Sequence, residues 1–534
     1  MQKKTATYRS KTTQNEIINI CGEMIKEKIT NEMKSAKFYS ILADEAADVS
    51  NLEQMAIVLR FVDSSSEIRE DFLGFIVCNE GLSGQAIATK ILQAIKELDL
   101  DPNLCRGQGY DGAGNMSGKC NGASSIIKRQ YPKALYVHCR SHLLNLCVAS
   151  ACGIPVVRNM MSRVKSVSDF FNMHPKRFAL LAMKIKEIKP SSRHVHLIDV
   201  CRTRWIARID GLDVFVEVFE GVVLALETIK NNEERCWSTD SVRDASGLFH
   251  GTVTFEFIIC LVIVSRMLEI TRPLTRQLQS PTLDVVACQN EVNLLYSMLE
   301  RNRNEISELN QEWFEEAVEI AEKVGTTPSK PRTARSQQHR SNTPSDSPSE
   351  YYLRVISIPF LDHLMTQINS RFTDENMKLL YVAYGLPANV SKTNWMENFS
   401  VFLSMYADDL PEPRYLKTEL RTWESKWEAS SGTPPETLAD LLPRIDKITF
   451  PNLYTAFQIA ATIPVTSCYC ERSISVLRRL KTYLRNTMGA SRMNGLALLN
   501  VHREIGLDVN TVIDRFAILH PRRMKLIDIL NSDP

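Results

Sequence analysis

Two aspartates stand at the ends of short segments where their carboxylates could meet. Asp44 ends the apolar run FYSILAD, and Asp111 follows GQGY. Carboxylates from adjacent strand ends can bridge divalent cations, because Mg²⁺ and Mn²⁺ prefer oxygen ligands. Two such cations about 3.5–4 Å apart activate the attacking oxygen and stabilise the leaving oxygen in phosphoryl displacement. Asp44 and Asp111 are therefore candidate catalytic residues and candidate ligands for Mg²⁺ or Mn²⁺.

A third carboxylate is expected on a late helix, and Glu471 in PVTSCYCERSISVLRRLKTYLRNTM is the candidate. Helical spacing predicts one apolar face, formed by Ile474, Leu477, Leu480 and Leu484. Glu471 is the only acid of this stretch, and the bases near it are Arg472, Arg478, Arg479, Lys481 and Arg485. One acid among bases suits a metal ligand beside a phosphate backbone. The alternative is an ordinary helix-start glutamate on a solvated basic face, and on spacing alone that alternative is the stronger.

The glycine-rich stretch GQGYDGAGNMSGK, residues 107–119, has features of two phosphate-binding loops. It contains G-x-G-x-x-G, but the two other positions that a P-loop requires hold Ala113 and Cys120. The dinucleotide motif also needs a buried strand before it and an acid about 20 residues after it, and neither is evident. A nucleotide-binding enzyme is therefore the weakest hypothesis. We expect the glycines to let backbone and substrate approach closely around Asp111.

Cys139 and His142, in CRSH, have the spacing of two metal ligands. A tetrahedral Zn²⁺ site needs two further ligands, and the candidates Cys120 and Cys147 follow no pattern. The sequence therefore gives only weak support to a zinc site.

Composition places the chain among ordinary globular proteins. Of 534 residues, 44% are hydrophobic and 24% charged, so several domains with sizeable cores are expected. A net charge of +2 gives no overall signal for a polyanion, so any nucleic-acid surface must be local. The 13 scattered cysteines suggest reduced thiols in the cytosol or nucleus. The longest apolar run, FIICLVIVS, is too short for a bilayer and predicts a buried helix, so no membrane association is expected.

The elements that must position the acids follow the order β-β-β-α-β-α-β-α. Strands are predicted at 38–44, 55–62, 72–77, 104–110 and 134–138, and one helix at 114–129. This is the order of the ribonuclease H fold, in which the ends of the first and fourth strands lie side by side. Asp44 and Asp111 occupy those two ends.

The rest of the chain is predicted to be mostly helical. Residues 325–350 are rich in Ser, Thr and Pro without large apolar residues, which predicts a disordered linker. The runs NLYTAFQIAATIPV and GLALLNVHREIGL are apolar enough to require a partner surface, so we expect the C-terminal block to pack into a dimer or onto the helical segment. We divide the chain into a helical lead-in (1–37), the first part of an α/β core (38–154), a helical segment (155–440), a C-terminal block completing the core (441–510) and a tail (511–534).

Five motifs in this order resemble the hAT superfamily of DNA transposases. They are FYSILADEAADVS, GYDGAGNMSG, CRSH, RTRWIARIDGL and CERSISVLRRLKTYLRNTM. The resemblance implies a ribonuclease H-like core interrupted by a large all-α insertion, a C-terminal dimerisation region and a nuclear location. It also implies that Asp44, Asp111 and Glu471 match the catalytic acids, and that Cys139 and His142 pack beside them.

DNA contacts are also implied. Arg204 and Trp205 resemble a family pair whose tryptophan stacks on an extruded base, although a packing role for Trp205 is equally supported. Arg478, Arg479 and Lys481 are expected to contact phosphates. No Cys/His cluster precedes Phe38, where the family carries a zinc-binding module, so we expect DNA binding without sequence preference. Two functions remain open: metal-dependent DNA strand cleavage and transfer, and a domesticated, catalytically silent dimer in transcriptional regulation.

Overall fold

A computed structural model of the chain describes residues 10–198, 205–331, 343–372 and 377–519. Five strands form a single sheet in the order β3-β2-β1-β4-β5. β2 is antiparallel to both β1 and β3, whereas β4 is parallel to both β1 and β5. The strands are β1 (Tyr39–Ala47), β2 (Glu53–Val62), β3 (Ile68–Val77), β4 (Cys105–Tyr110) and β5 (Leu135–His138).

Helices make up most of the remaining described chain. In chain order, α1–α12 are Lys11–Ala36, Gly84–Glu97, Gly114–Ser117, Ala123–Gln130, Arg140–Ala151, Pro155–Asn172, Pro175–Ile188, Trp205–Glu217, Phe219–Asn231, Thr239–Thr252, Phe255–Glu269 and Arg272–Gln277. α13–α24 are Val285–Asn304, Ile306–Lys323, Pro348–Tyr352, Ile358–Phe372, Met377–Leu380, Trp395–Met405, Leu416–Glu428, Leu438–Leu441, Pro451–Thr462, Cys468–Leu480, Ala490–Val501 and Val509–Leu519.

The predicted order of strands and helices is confirmed, with α2 between β3 and β4 and two short helices between β4 and β5. The single helix expected over residues 114–129 is wrong, because the chain turns sharply between α3 and α4. Gly118 and Gly122 allow this turn: a Cβ on Gly122 would lie 2.3 Å from the backbone nitrogen of Gly118. No side chain fits there, so the helix is interrupted.

The chain forms two compact units. The first contains residues 1–142, 278–289 and 375–534, and the second contains residues 143–277 and 290–374. Our sequence-based domain boundaries remain predictions. The expected linker lies partly outside the described residues, at 332–342. The helix after it, α15, begins at Pro348.

The first unit is built around the sheet. α1, α2, α4, α22 and α23 pack with the strands in one apolar cluster, and α18–α21 form a second cluster with the ends of β2, β3 and β5. Of the two partner surfaces expected for the apolar residues of the C-terminal block, the one within this chain is confirmed. Leu453, Phe457 and Leu498 are buried in the chain's own core, and the ring of Phe457 stacks on that of Phe399.

A buried ion pair joins four distant segments of this unit. The guanidinium of Arg60 on β2 donates to Glu70 on β3 at 2.6 Å, and both side chains are fully buried. The same guanidinium donates to the backbone carbonyls of Pro281, Leu283 and Ala461. Since a buried guanidinium needs partners for its donors, these contacts fix both the segment around residue 283 and the end of α21 against the sheet.

The second unit is helical in its described parts. The predicted buried helix FIICLVIVS lies within α11, which Thr254 caps and which is buried on all sides. Earlier in this unit, residues 205–231 form two helices, α8 and α9, and not one, because the backbone leaves the helical conformation at Val218. Across the described chain, no individual helix has the length and apolar composition to cross a bilayer, although two sharply bent helix pairs reach that composition together.

A second buried ion pair anchors the end of α22 to the loop after β1. The ammonium of Lys481, at the C-terminal cap of α22, lies 2.5 Å from Asp48, and both side chains are almost fully buried. Asp48 also accepts hydrogen bonds from Gln54 and from the backbone of Ser50. Burial raises the pKa of Asp48, but the hydrogen bonds from Lys481, Gln54 and the backbone hold it below its ordinary 3.8.

Asp48→Asn should lower the free energy of unfolding at pH 7 by about 3 kcal/mol, since Lys481 would be left as a buried charge without its partner. The stabilisation by Asp48 is fully present above pH 3.8 and is lost as pH falls through its depressed pKa. The deficit of the variant should therefore shrink in acid. Urea denaturation from pH 7 to pH 3 measures this, with the exposed Asp99→Asn as the control. Equal losses for both variants would contradict the assignment.

Candidate acidic site at the end of the sheet

The strand register places Asp44 and Asp111 next to each other. β1 and β4 are parallel, and Leu42 is paired with Gly109. Asp44 and Asp111 each lie two residues beyond this pair, so they lie side by side where β4 ends. β1 itself continues to Ala47, three residues beyond the strand end that we expected, and Asp44 is still paired with Ala56 of β2. Asp111 then starts a turn in which its Oδ1 accepts a hydrogen bond from the backbone of Ala113 at 3.1 Å. The end of the sheet therefore presents two half-buried carboxyls.

The third acid reaches the same place through the start of α22. The backbone N–H of Arg140 donates to the carbonyl of Val465 at 3.0 Å, and the N–H of Ser467 donates to Cys139 Sγ at 3.2 Å. These bonds tie the chain before α22 to the end of β5, which neighbours β4. Glu471 lies in the first turn of α22 and is half-buried.

The three carboxyls interact electrostatically. Burial raises the pKa of Asp44 well above its ordinary value, and the negative charges of Glu471 and Asp111 raise it further. The backbone N–H of Glu45, which donates to Asp44 Oδ1 at 3.0 Å, opposes this rise. The structure therefore brings Glu471 into the field of Asp44 and Asp111, although it follows Asp111 by 360 residues.

The glycines of β4 allow the close approach that we expected, but the group that approaches them is a proline of this chain. Gly107 and Gly109 lie within a buried strand, not in a phosphate-binding loop. A Cβ on Gly107 would lie 2.6 Å from the ring of Pro464, and one on Gly109 would lie 3.0 Å from it. These two glycines admit the chain's own proline, and so help to seat the segment that leads into α22.

Gly112, beside Asp111, makes room for an imidazole. A Cβ on Gly112 would lie 2.4 Å from the ring of His138, the last residue of β5. The His138 ring in turn stacks on that of His142, with centroids 5.4 Å apart. The two histidines therefore support the Asp111 turn from the side of β5, and the histidine of CRSH packs near the acidic site.

Glu45 is a further acid that the sequence reasoning did not single out. Burial raises its pKa to about 7, and the charges of Asp111 and Glu53 contribute to the rise. Its Oε1 is buried without a hydrogen-bond partner. The sequence held one signal for Glu45, because this residue follows Asp44 directly. Neighbouring side chains of a strand point to opposite faces, however, so Glu45 was not expected to share a site with Asp44. The negative charge of Asp111 nevertheless raises the pKa of both carboxyls.

Cys139 contacts another cysteine rather than a zinc cluster. The thiol of Cys468 donates a hydrogen bond to Cys139, which lowers the pKa of Cys139 to about 7 and raises that of Cys468. Cys120 is exposed, and Cys147 belongs to the second unit. Among the described side chains, no three His, Cys, Asp or Glu groups are arranged to hold a metal ion.

The basic residues of α22 divide into two groups. Arg478 and Arg479 are exposed, whereas Lys481 is buried in its pair with Asp48. Lys481 is therefore not free to make the phosphate contact that we expected. The expected apolar face is also shorter, because α22 ends at Leu480 and leaves Leu484 exposed. Arg204 and the side chain of Trp205 lie outside the described residues, so the base-stacking prediction stays a prediction.

The donor chemistry of the site suits Mg²⁺ or Mn²⁺. Asp44, Asp111 and Glu471 offer carboxylate oxygens, which these cations prefer, and their mutual repulsion at Asp44 would be relieved by a cation. The three side chains are not already arranged around a single metal position, because the described chain contains no group of three ligands placed to hold a metal ion. The acids therefore fit a divalent cation by charge and by donor type, and binding one requires side-chain adjustment.

Comparison with known proteins gives two family matches. Residues 1–122 match the ZMYM1/FAM200 RNase-like domain, which agrees with the observed sheet, and residues 445–505 match the hAT family C-terminal dimerisation region. Glu471 and α22 lie inside the second match. The first match ends before β5.

Similar proteins are found in several mammals. The chain is similar to the 52 kDa repressor of the inhibitor of the protein kinase from Homo sapiens, 29% identical over 97% of this chain and 69% of that protein. The Mus musculus protein of the same name is 28% identical over 98% of this chain and 70% of its own length. A short segment, 14% of this chain, is 31% identical to 8% of the General transcription factor II-I repeat domain-containing protein 2 from Bos taurus.

Asp44→Asn should raise the free energy of unfolding at pH 7 in the absence of divalent cations, because it removes a carboxylate that is repelled by Glu471 and Asp111. The folded pKa of Asp44 is raised, so the wild type loses stability as pH rises from about 4 towards that pKa. The gain should vanish below about pH 4, where Asp44 is neutral in both states. Denaturation with the exposed Glu97→Gln as the control measures it. A destabilised Asp44→Asn at pH 7 would contradict the repulsion.

Proposed function

We propose that this chain is a transposase-derived, self-associating protein of the hAT type. The matches to the ZMYM1/FAM200 RNase-like domain and to the hAT family C-terminal dimerisation region support this proposal. Its acidic site supports metal-dependent cleavage of DNA strands. In this proposal the second unit is an all-α insertion into the RNase-like core. Support for the insertion comes from the first unit, which resumes at residues 278–289 and again from residue 375.

The position of Glu471 carries the proposal. Its charge acts on Asp44 together with that of Asp111, so acids from both matched regions contribute to one site. A divalent cation bound there would supply a Lewis acid for the phosphodiester and would lower the pKa of a bound water. The protein's own part is to hold the three carboxyls on β1, on the turn after β4 and on α22. It also keeps Glu45, whose pKa is about 7, within the electrostatic influence of Asp111.

Exposed arginines next to the acids are the proposed DNA contact. Arg478 lies two helical turns after Glu471 on the same side of α22, a displacement of about 10 Å along the axis. Arg479 is its exposed neighbour. A guanidinium contacts phosphates without reading the bases, so this surface would place a DNA backbone over the acidic site with little sequence preference.

A catalytically silent regulator is the second candidate function. Two observations favour it. The relatives that match 97% and 98% of this chain are called repressors. Among the described residues, the three carboxyls are not already arranged around a metal position. In this alternative the protein acts in the nucleus as a dimer, and its acids remain from its ancestry. Both candidates place the protein in the nucleus and require self-association.

Nicking of supercoiled plasmid with Mn²⁺ separates the two functions. The proposal predicts nicked product with the wild type, and none after chelation or with Glu471→Gln, which removes a carboxylate and keeps the size of the side chain. Glu97→Gln, on an exposed helix face, is the matched control and should retain activity. If the wild type does not nick DNA while it binds it, the silent regulator is the better account.

Replacing both Arg478 and Arg479 by Ala should weaken binding to all duplexes about equally. The slope of log affinity against log salt should fall by about 2, since each phosphate contact contributes about one. The control double variant, Arg243→Ala with Arg301→Ala, removes the same charge from exposed positions of the second unit. Fluorescence anisotropy over a salt series gives the slopes. A loss confined to one DNA sequence would show base reading instead.

Self-association should depend on apolar side chains that the chain leaves exposed in its dimerisation region. Tyr483 and Leu484 are each 78% exposed, directly after α22. Tyr483→Ser with Leu484→Ser should shift the protein towards monomer, because the contact loses most of its apolar area. Analytical ultracentrifugation measures the change, with Tyr415→Ser as the control, since Tyr415 is 55% exposed outside the matched region. An unchanged dimer would place the interface elsewhere.

A further inference from the structure

Two buried cysteines meet where β5 ends and α22 begins. Cys139 is 1% exposed and Cys468 is 7% exposed, and the thiol of Cys468 donates a hydrogen bond to the sulfur of Cys139. Ser467, the neighbour of Cys468, donates its backbone N–H to the same sulfur at 3.2 Å. Ser141 also hydrogen-bonds to Cys468. The two thiols are therefore held together by contacts of the backbone as well as of the side chains.

From this contact we propose that Cys139 and Cys468 form a reversible disulfide when the protein meets a hydroperoxide. The sulfur of Cys139 accepts hydrogen bonds and has a second thiol beside it, as in an oxidisable pair. Because both thiols are buried, the peroxide reaches them only when the start of α22 opens locally. The inference is independent of the proposed function, because it concerns only the thiols. Intracellular disulfides of this kind are transient and act in redox sensing.

The reaction balances with hydrogen peroxide as the oxidant. The sulfur of Cys139 attacks one peroxide oxygen, the O–O bond breaks, and hydroxide leaves, giving a sulfenic acid on Cys139. The sulfur of Cys468 then attacks the Cys139 sulfur. The S–S bond forms, the S–O bond breaks, and the departing hydroxide takes up the thiol proton as water. Two thiols lose two electrons and two protons, and the peroxide becomes two waters.

Cys468 is selected over Cys470 by the geometry of the helix. Residues two apart in an α-helix point about 200° apart, so Cys470 leaves α22 on the other side. Cys470 is fully buried in the apolar cluster with the strands. The partner of Cys139 is therefore the first residue of α22, and not the third.

The link would join the end of β5 covalently to the helix that carries Glu471. In the reduced protein the bonds from Arg140 to Val465 and from Ser467 to Cys139 hold these segments together. A disulfide adds a constraint between residues 329 positions apart in sequence, which restricts local opening at the start of α22. Oxidation should therefore fix Glu471 in place, and reduction should release it.

Peroxide treatment of the full chain, followed by alkylation, digestion and mass spectrometry, tests the inference. We expect a joined pair of peptides containing Cys139 and Cys468, lighter by two hydrogens than their sum and separated by a thiol reductant. The exposed Cys120 and Cys236 serve as internal standards for the oxidant. If they are oxidised while Cys139 and Cys468 remain reduced through a tenfold longer exposure, the proposal is overturned.

Two variants sharpen the result. Cys468→Ala should abolish the link and leave Cys139 as a sulfenic acid that dimedone labels, whereas Cys260→Ala, at a buried cysteine of the second unit, should leave the link intact. A link from Cys139 to Cys470 in wild type would contradict the assignment. For the unsubstituted chain, hydrogen exchange in the first turn of α22 should slow roughly tenfold on oxidation. Unchanged exchange in a fully linked sample would refute the proposed fixing of Glu471.

Discussion

The attachment of α22 at both of its ends is the constraint on which the acidic site depends. At its C-terminal end, Lys481 forms a buried ion pair with Asp48, four residues after Asp44. At its N-terminal end, Val465 and Ser467 are hydrogen-bonded to the chain that follows β5. Glu471 lies between these two attachments. Its position is therefore set by contacts with the loop after β1, the strand that carries Asp44, and with the end of β5, the neighbour of the strand that leads to Asp111. A free helix could not hold a carboxyl against two others that repel it.

Burial of a carboxyl, together with repulsion by its two neighbours, is the energetic cost of this arrangement. Burial and two neighbouring acids raise the pKa of Asp44, so the folded chain maintains a group of charges that would separate in the unfolded state. The ion pairs of Arg60 with Glu70 and of Lys481 with Asp48 lie in the same unit and oppose this cost by fixing the surrounding segments. A group of charges that destabilises the fold, and that neighbouring ion pairs hold in place, is typical of a site that acts on a ligand. This is the physical basis for assigning a function to the three acids.

Much of the core could be predicted from the sequence because its signals are local. Apolar runs bounded by turn residues indicate the order of strands, and the likeness of that order to the ribonuclease H fold predicts that Asp44 and Asp111 lie side by side. Contacts between distant segments could not be predicted. Gly107 and Gly109 looked like part of a phosphate loop, because nothing local shows that Pro464 packs on them. Lys481 looked like one of several surface bases, because its partner Asp48 precedes it by 433 residues.

The central claim is that Glu471 shares a site with Asp44 and Asp111, and Mn²⁺ binding followed by electron paramagnetic resonance tests it most directly. The account predicts that Glu471→Gln weakens Mn²⁺ binding by roughly tenfold or more, as Asp44→Asn and Asp111→Asn do, while the exposed Glu504→Gln binds like wild type. If Glu471→Gln keeps wild-type affinity while the two aspartate variants lose it, Glu471 is not part of the site.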